Sequence, residues 1–80
     1  MNKAQRKQLN ENLTALYVLI EDICTARDEE EEKFDNLSEG LQDSERGQSI
    51  QDAADALTSV IDLLESAYEE LNEAVNGEKP

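Results

Sequence analysis

The residues of this 80-residue chain that could do chemistry are almost all carboxylates. Twenty Asp and Glu residues accompany seven Lys and Arg residues, so the formal net charge is −13, and His is absent. Because His is absent, the chain lacks the most common general base. His-dependent nucleophile pairs and His-containing metal sites are also excluded. Carboxylates alone can hold a hard divalent cation or attract a basic partner.

The segment from Asp35 to Arg46 partly follows the pattern of a calcium-binding loop. Asp35 occupies the first place of such a loop and Gly40 occupies the sixth. Leu37 stands at the third place and Arg46 at the twelfth, where the ion needs an oxygen ligand and a bidentate Glu. We therefore predict no calcium site.

A second group of carboxylates resembles the magnesium-binding clusters of helical nucleotide pyrophosphohydrolases. The group consists of Glu29, Glu32, Asp52 and Asp55. Acidic pairs three residues apart arise by chance in a chain that is one-quarter acidic. We therefore predict no metal site, no cofactor and no catalytic residue, so the protein is expected not to be an enzyme.

One cysteine and two tyrosines are the remaining side chains that could take part in chemistry. Cys24 has no neighbouring base, and we interpret it as a small apolar filler, with a reactive thiol or an oligomer cross-link as alternatives. A single cysteine cannot form an internal disulfide, which fits a reducing compartment. Tyr17 and Tyr68 are expected to pack with their hydroxyls in water.

Apolar residues recur in alternating steps of four and three in both halves of the chain, which is the heptad pattern of helices packed side by side. The first half has Leu9, Leu13, Leu16, Ile20, Ile23, Phe34 and Leu37, and the second has Ile50, Ala54, Leu57, Ile61, Leu64, Tyr68, Leu71 and Val75. We call these positions the seam. In the first half, Arg27 and Glu30 occupy the two seam positions that are not apolar.

The pattern predicts an all-α, antiparallel two-helix hairpin of coiled-coil type that forms a single domain over residues 1–80. The helices are predicted at about residues 3–35 and 45–75, with a turn at about 36–44 that includes one short helical turn from Ser38 to Gln42. A symmetric turn pairs Ile20 with Ile61 and Leu13 with Tyr68. The same register brings Arg27 near Ala54 and Phe34 near Gly47.

A second set of apolar residues flanks the seam and predicts an oligomer. A helix with a widened apolar face contacts more than one neighbour, so we expect a homodimer that forms a four-helix bundle. The alternative is a monomeric hairpin, because Ala favours helix anywhere. The predicted oligomer interface consists of Tyr17 and Cys24 in the first helix and of Ala53, Val60, Ala67 and Ala74 in the second.

Acidic residues concentrate at the turn end of the predicted hairpin. One interpretation is a solvated helix end that maintains solubility, and the other is a docking surface for a basic partner. At the opposite end, Lys3, Arg6 and Lys7 are expected to lie near acidic residues of the second helix, namely Glu70, Glu73 and Glu78. We define the acidic tip as the predicted partner-binding residues Asp28, Glu29, Glu32, Asp35, Glu39 and Asp43.

The charge and the hydropathy pattern restrict the classes of partner. A net charge of −13 repels nucleic acid and anionic membranes, so neither is expected as a direct partner. No stretch approaches the roughly 18 apolar residues of a membrane span, and the N-terminal residues lack the apolar core of a secretory signal. We therefore expect a cytoplasmic protein.

The opening KAQRKQL and the segment FDNLSEGLQDSERGQ, followed by an acidic helix rich in Ala and Leu, resemble a group of short proteins of bacteriophage and prophage genomes. The resemblance covers most of the chain and implies no activity, cofactor or binding residue. It implies an accessory protein in the cytoplasm of a bacterial host. Such a protein could inhibit or redirect a host protein, including a defence protein, or act as a DNA mimic.

Three functions follow as hypotheses. The first is a non-enzymatic interaction module that binds a host or phage protein, basic or nucleic-acid-binding, through acidic surface. The second is a structural or assembly element whose helices serve to oligomerise. The third is a sponge for small signalling nucleotides held between subunits by Lys3, Arg6 and Lys7, which the net charge opposes.

Overall fold

The computed structural model describes residues 1–77, which form two long antiparallel helices joined by a short helical turn. Helix α1 spans Lys3–Asp35, α2 spans Glu39–Gln42 and α3 spans Glu45–Asn76. Helix α1 packs along α3, and α2 packs against α3. The molecule measures 59 × 16 × 15 Å, as expected for two helices of this length side by side. The predicted all-α helical hairpin of coiled-coil type is confirmed.

Polar side chains satisfy the exposed backbone amides where the long helices begin. The Asn2 side chain accepts a hydrogen bond from the Gln5 amide at 2.8 Å, and the Gln5 side chain accepts one from the Asn2 amide at 3.1 Å. This reciprocal pair is a capping box. Ser44 caps α3, because its Oγ accepts a hydrogen bond from the Gly47 amide at 3.3 Å. These local contacts explain why the helices start where the sequence pattern places them.

The turn packs closely on α3 because residue 47 has no side chain. A Cβ atom at Gly47 would lie 2.3 Å from the carbonyl oxygen of Gln42 and 2.5 Å from that of Leu41. The Gln42 side-chain amide also donates to the backbone carbonyls of Phe34 and Leu37, at 3.1 and 3.2 Å. The end of α1, the whole of α2 and the first turn of α3 therefore form one packed unit.

The register of the two long helices differs from the predicted one by about one helical turn. Tyr68 has its ring centroid 6.4 Å from that of Tyr17, whereas the predicted partner was Leu13, one turn earlier in α1. Phe34 lies beside Gln51 and Ala54 and not opposite Gly47. The symmetric turn was the wrong assumption, because the first turn of α3 extends past the end of α1 and packs against α2.

Within residues 1–77, the buried apolar residues all come from the predicted seam. They are Leu13, Ala54, Ile61 and Val75. Most other seam residues are half-buried, because two helices cannot enclose a core from all sides. The hairpin therefore has a thin apolar core for a chain of 80 residues.

The two polar seam residues are compatible with this core because their charged groups reach its edge. Arg27 keeps 26% of its side chain exposed and contacts Asp28 at 3.1 Å and Glu31 at 3.8 Å. Glu30 accepts a hydrogen bond from Lys33 at 2.9 Å. Each aliphatic stem can thus cover the seam while its charge stays near water.

Candidate functional site

The six residues of the acidic tip are all exposed, and they gather toward the turn end of the hairpin. Four of them lie in the last two turns of α1, Glu39 begins α2, and Asp43 follows the end of α2. The close packing of α2 on α3 therefore adds two carboxylates to those that α1 supplies.

Two basic residues of α1 compensate part of the charge at this end. Hydrogen bonding to Asp28 raises the pKa of Arg27 above its ordinary value, and hydrogen bonding to Glu30 raises the pKa of Lys33. Asp28 is thus paired within the hairpin, so it is a weaker candidate for partner binding than its exposure suggests. Within residues 1–77, no ion pair involves the remaining tip residues, namely Glu29, Glu32, Asp35, Glu39 and Asp43.

The helix dipoles contribute little to the potential at the tip. The C-terminal end of α1 carries partial negative charge, and the N-terminal end of α3 carries partial positive charge. Both ends lie at the tip because the helices are antiparallel. The negative potential of the tip therefore comes from its side chains.

The opposite end of the hairpin carries three basic side chains of α1. Lys3 and Lys7 are exposed, and neither forms an ion pair with an acidic residue of the described chain. With Arg6, they border a shallow open groove that Glu11 also lines. The expected neutralisation of Lys3 and Lys7 by Glu70 and Glu73 is not seen, and Glu78 lies outside the described residues.

The predicted oligomer interface divides between two sides of the hairpin. Tyr17 shares a shallow groove with Ile20, Glu65 and Tyr68, which places the e positions of both helices on one side of the seam. Positions e and g flank a seam on opposite sides. Tyr17 and Cys24 therefore lie on one side, and Ala53, Val60, Ala67 and Ala74 lie on the other.

The side that carries Tyr17 is mainly polar. Tyr17 is 54% exposed, and hydrogen bonding to Glu21 raises the pKa of its phenol above the ordinary value. Cys24 is half-buried on the same side. Residues of α3 at the neighbouring e positions are Gln51, Thr58, Glu65 and Asn72.

The other side carries an exposed apolar surface that the sequence interpretation recognised only in part. Leu63, at an outward c position of α3, is 69% exposed and follows the g-position residues of α3 at helical spacing. Leu19 of α1, at a g position, borders the same side and is 55% exposed. The signal in the sequence is a second heptad repeat, displaced by one position from the seam. We call this surface the apolar face and define it as Leu19, Ala26, Ala53, Ala56, Val60, Leu63, Ala67 and Ala74.

Residues 1–77 present neither a metal-binding cluster nor a membrane-spanning helix. No group of three or more acidic or cysteine side chains in this part of the chain is arranged to hold a metal ion. None of its helices combines the length and the apolar character needed to cross a membrane. Comparison of the chain with protein-family models, with curated proteins and with solved structures finds no match.

Proposed function

We propose that the protein is a non-enzymatic interaction module that binds a basic protein surface through its acidic tip. The observation that carries the proposal is the set of exposed tip carboxylates that form no ion pair within residues 1–77, namely Glu29, Glu32, Asp35, Glu39 and Asp43. A partner rich in Lys or Arg would supply the charges that the hairpin does not. Ion pairs between the two proteins would then replace repulsion among the tip residues.

The chemistry of the tip favours partners that normally bind phosphates. Carboxylates at the end of a rod about the width of two helices can stand where the phosphates of a nucleic acid would stand, so a nucleic-acid-binding protein is the partner class that we propose. The sequence resemblance to short phage proteins makes a bacterial host protein, inhibited or redirected in the cytoplasm, the specific candidate. Long-range attraction would mainly accelerate association, and added salt would slow it.

The proposal includes a homodimer in which two hairpins form a four-helix bundle. The thin core of the single hairpin supports it, since a second layer of helices would cover residues that are half-buried in one chain. The exposed apolar face supports it as well, because monomeric proteins seldom leave contiguous apolar surface unused.

A structural or assembly element is the second candidate, and the apolar face favours it. In that case the helices would serve to oligomerise, and the tip carboxylates would only maintain solubility. A nucleotide sponge is less favoured, because the groove beside Lys3, Arg6 and Lys7 is open and includes the carboxylate of Glu11.

The experiment that separates the first two candidates reverses the tip charge. Binding of basic nucleic-acid-binding proteins from bacterial lysate, captured in a salt series, is compared between wild type and the triple variant Glu32→Lys, Asp35→Lys and Glu39→Lys. The matched control carries Asp62→Lys, Glu65→Lys and Glu69→Lys, which makes the same change of charge on exposed positions of α3.

We expect the tip variant to lose at least about 100-fold in affinity, since several charge pairs at a docking surface together contribute on this scale. The control should retain most of the affinity, and wild-type binding should weaken as salt rises. Equal, salt-insensitive binding by all three proteins would contradict the proposed role of the tip and favour the assembly element.

A further inference from the structure

The apolar face is a surface that the hairpin itself does not use. Its three large residues Leu19, Val60 and Leu63 are 55%, 40% and 69% exposed. The Ala residues of the face separate these side chains along α1 and α3, so a second helix could approach closely. The tip carboxylates lie toward one end of the rod, and Asp22 of α1, at a c position, is a charged residue at the edge of this face near its middle.

The accessible area of the chain supports a protein occupant. The chain exposes 6007 Å² for a mass of 9.0 kDa, whereas a compact monomer of that mass exposes about 4,900 Å². The excess arises because the rod is only two helices wide. This excess of accessible area is larger than the roughly 800 Å² that each partner buries in a standard stable interface.

We propose that a second copy of this chain covers the apolar face. The two copies are antiparallel and related by a two-fold axis, an arrangement that we call head-to-tail because the two acidic tips lie at opposite ends of the dimer. This inference rests on the dimer in the proposed function and adds its interface, its orientation and its consequence for binding. The two-fold axis would pass beside Leu63, near the middle of the apolar residues of α3. Helix α3 then packs against α3 of the second copy, and α1 packs against α1.

The spacing of the apolar face fits this symmetry. Antiparallel pairing centred beside Leu63 brings the Leu63 side chains of the two copies together. It also sets Val60 of each copy opposite Ala67 of the other. In the same arrangement Leu19 of each copy lies opposite Ala26 of the other. Each branched side chain away from the axis therefore meets a methyl group, as dense interhelical packing requires.

Charge selects the head-to-tail orientation. A head-to-head dimer would place two acidic tips side by side, and the unpaired carboxylates would repel one another. The head-to-tail dimer instead separates the two tips by about the length of the rod, which is 59 Å.

The arrangement makes the protein a bivalent ligand. A rod 59 Å long would present an acidic tip at each end, so one dimer could engage two basic surfaces that lie far apart. Two sites linked in this way bind a suitably spaced double target much more tightly than either site alone. A partner with a single basic patch would bind one tip at a time, in a ratio of one partner to each chain.

The orientation can be measured with a spin label on each tip. Glu39→Cys in a Cys24→Ala background places one label per chain on the exposed start of α2. At 1.5 Å per helical residue, the head-to-tail dimer predicts about 60 Å between the two labels. Labels in a dimer that lie less than about 30 Å apart would overturn the proposed orientation.

The interface can be tested by disulfide formation in the folded dimer. Leu63→Cys in the Cys24→Ala background is expected to form a disulfide-linked dimer on mild oxidation, because the two copies of residue 63 meet at the axis. Val18→Cys is the matched control, since Val18 is 51% exposed on the outward side of α1. Cross-linking at residue 18 that equals or exceeds cross-linking at residue 63 would contradict the interface.

A charge placed on the apolar face distinguishes an error in the proposed dimer interface from an error in the proposed binding role of the tip. Leu63→Glu should raise the dissociation constant of the dimer by at least about 100-fold, because the interface would bury uncompensated carboxylates, whereas Val18→Glu should not. The mass of each variant is measured by light scattering, with circular dichroism for the fold.

If the dimer resists Leu63→Glu, the interface is refuted while tip binding is unaffected. If Leu63→Glu gives a monomer that still binds basic partners in a salt-sensitive manner, the interface and the tip are both supported as separate sites.

Discussion

The tip and the middle of the hairpin are stabilised by different interactions. At the tip, backbone packing at Gly47 and the hydrogen bonds of Gln42 stabilise the turn, while the charged side chains point into water. In the middle, buried seam residues such as Ile61 hold α1 against α3. The shape of the tip therefore does not depend on its charges, whereas the stability of the middle depends directly on its apolar side chains.

This difference has a consequence for how the two surfaces can act. Charges at the tip can meet a partner or be reversed without loss of a packed side chain. The apolar face overlies the seam on one side, so covering it with a second chain would also protect the core from water. One molecule could thus dimerise through its middle and bind a basic partner through its tip at the same time.

The largest expected effect on folding lies in the middle, at Ile61. This side chain is 3% exposed, so Ile61→Ala should lower the free energy of unfolding by roughly 2 to 5 kcal/mol, through lost burial and a cavity. Denaturant titration at several protein concentrations measures the loss. Leu63→Ala is the comparison. Because it should act mainly by weakening the dimer, its loss of stability should be small at protein concentrations where the wild type is monomeric and larger where the wild type is dimeric. Equal, concentration-independent losses at both positions would contradict the assignment of Leu63 to the outer surface of α3.

A smaller effect is expected at the tip, from the backbone contact at Gly47. The added methyl group in Gly47→Ala would collide with two carbonyl oxygens, so we expect a loss of about 1 to 3 kcal/mol as the turn shifts. Gly40→Ala is the matched control, because a Cβ atom there meets no other atom within 4 Å. That change should raise the stability by about 0.4 to 1 kcal/mol, since it restricts the unfolded chain. A tip that tolerates Ala equally well at both positions would show that α2 does not pack on α3 in the way described.

Arg27 lies between the two regions, and replacing it should change stability little. Its guanidinium pairs with exposed carboxylates, and such pairs contribute little to folding. Leu in place of Arg27 would extend the apolar seam, so we expect Arg27→Leu to leave the melting temperature unchanged or to raise it. The same substitution frees Asp28, so binding of a basic partner should be equal or stronger. Severe unfolding of this variant would mean that Arg27 organises the end of the core.

The smallest expected effect concerns Tyr17, on the polar side of the middle region. The neighbouring Glu21 raises the pKa of the Tyr17 phenol by hydrogen bonding to its neutral form. This stabilisation is present at neutral pH and is lost as the pH rises through the folded-state pKa. In a Tyr68→Phe background, absorbance titration should show that Glu21→Gln moves the Tyr17 transition to lower pH. A transition that does not move would show that Glu21 does not contact the phenol.

Local sequence signals account for most of the fold. The heptad pattern predicts both long helices, and the cap residues Asn2 and Ser44 explain where they start. The buried residues Leu13, Ala54, Ile61 and Val75 all belong to this pattern. These features follow from the sequence because helical periodicity and capping act over a few neighbouring residues.

The acidic tip was visible in the sequence as a run of charge, but its electrostatics were not. Ion pairing separates Asp28 from the other tip residues, and this pairing depends on which rotamers the seam allows Arg27 to adopt. The apolar face was visible as Ala and Val at g positions, while Leu63 was overlooked because it lies outside the flanking positions of a single seam. A second heptad repeat becomes meaningful only when the side of the hairpin that each residue occupies is known.

The sequence by itself determined that two amphipathic helices of equal length fold back on each other, and which residues of each helix face the seam. Only the tertiary structure decided the register of the two long helices and the side of the seam on which each flanking residue lies. The register depends on how closely α2 approaches α3, and that distance is set by the contact of Gly47 with two carbonyl oxygens five and six residues away. The side on which Tyr17 and Val60 lie follows from this packing. A heptad pattern specifies the face of each helix but not how far one helix slides along the other, because sliding by about one turn still brings apolar residues together.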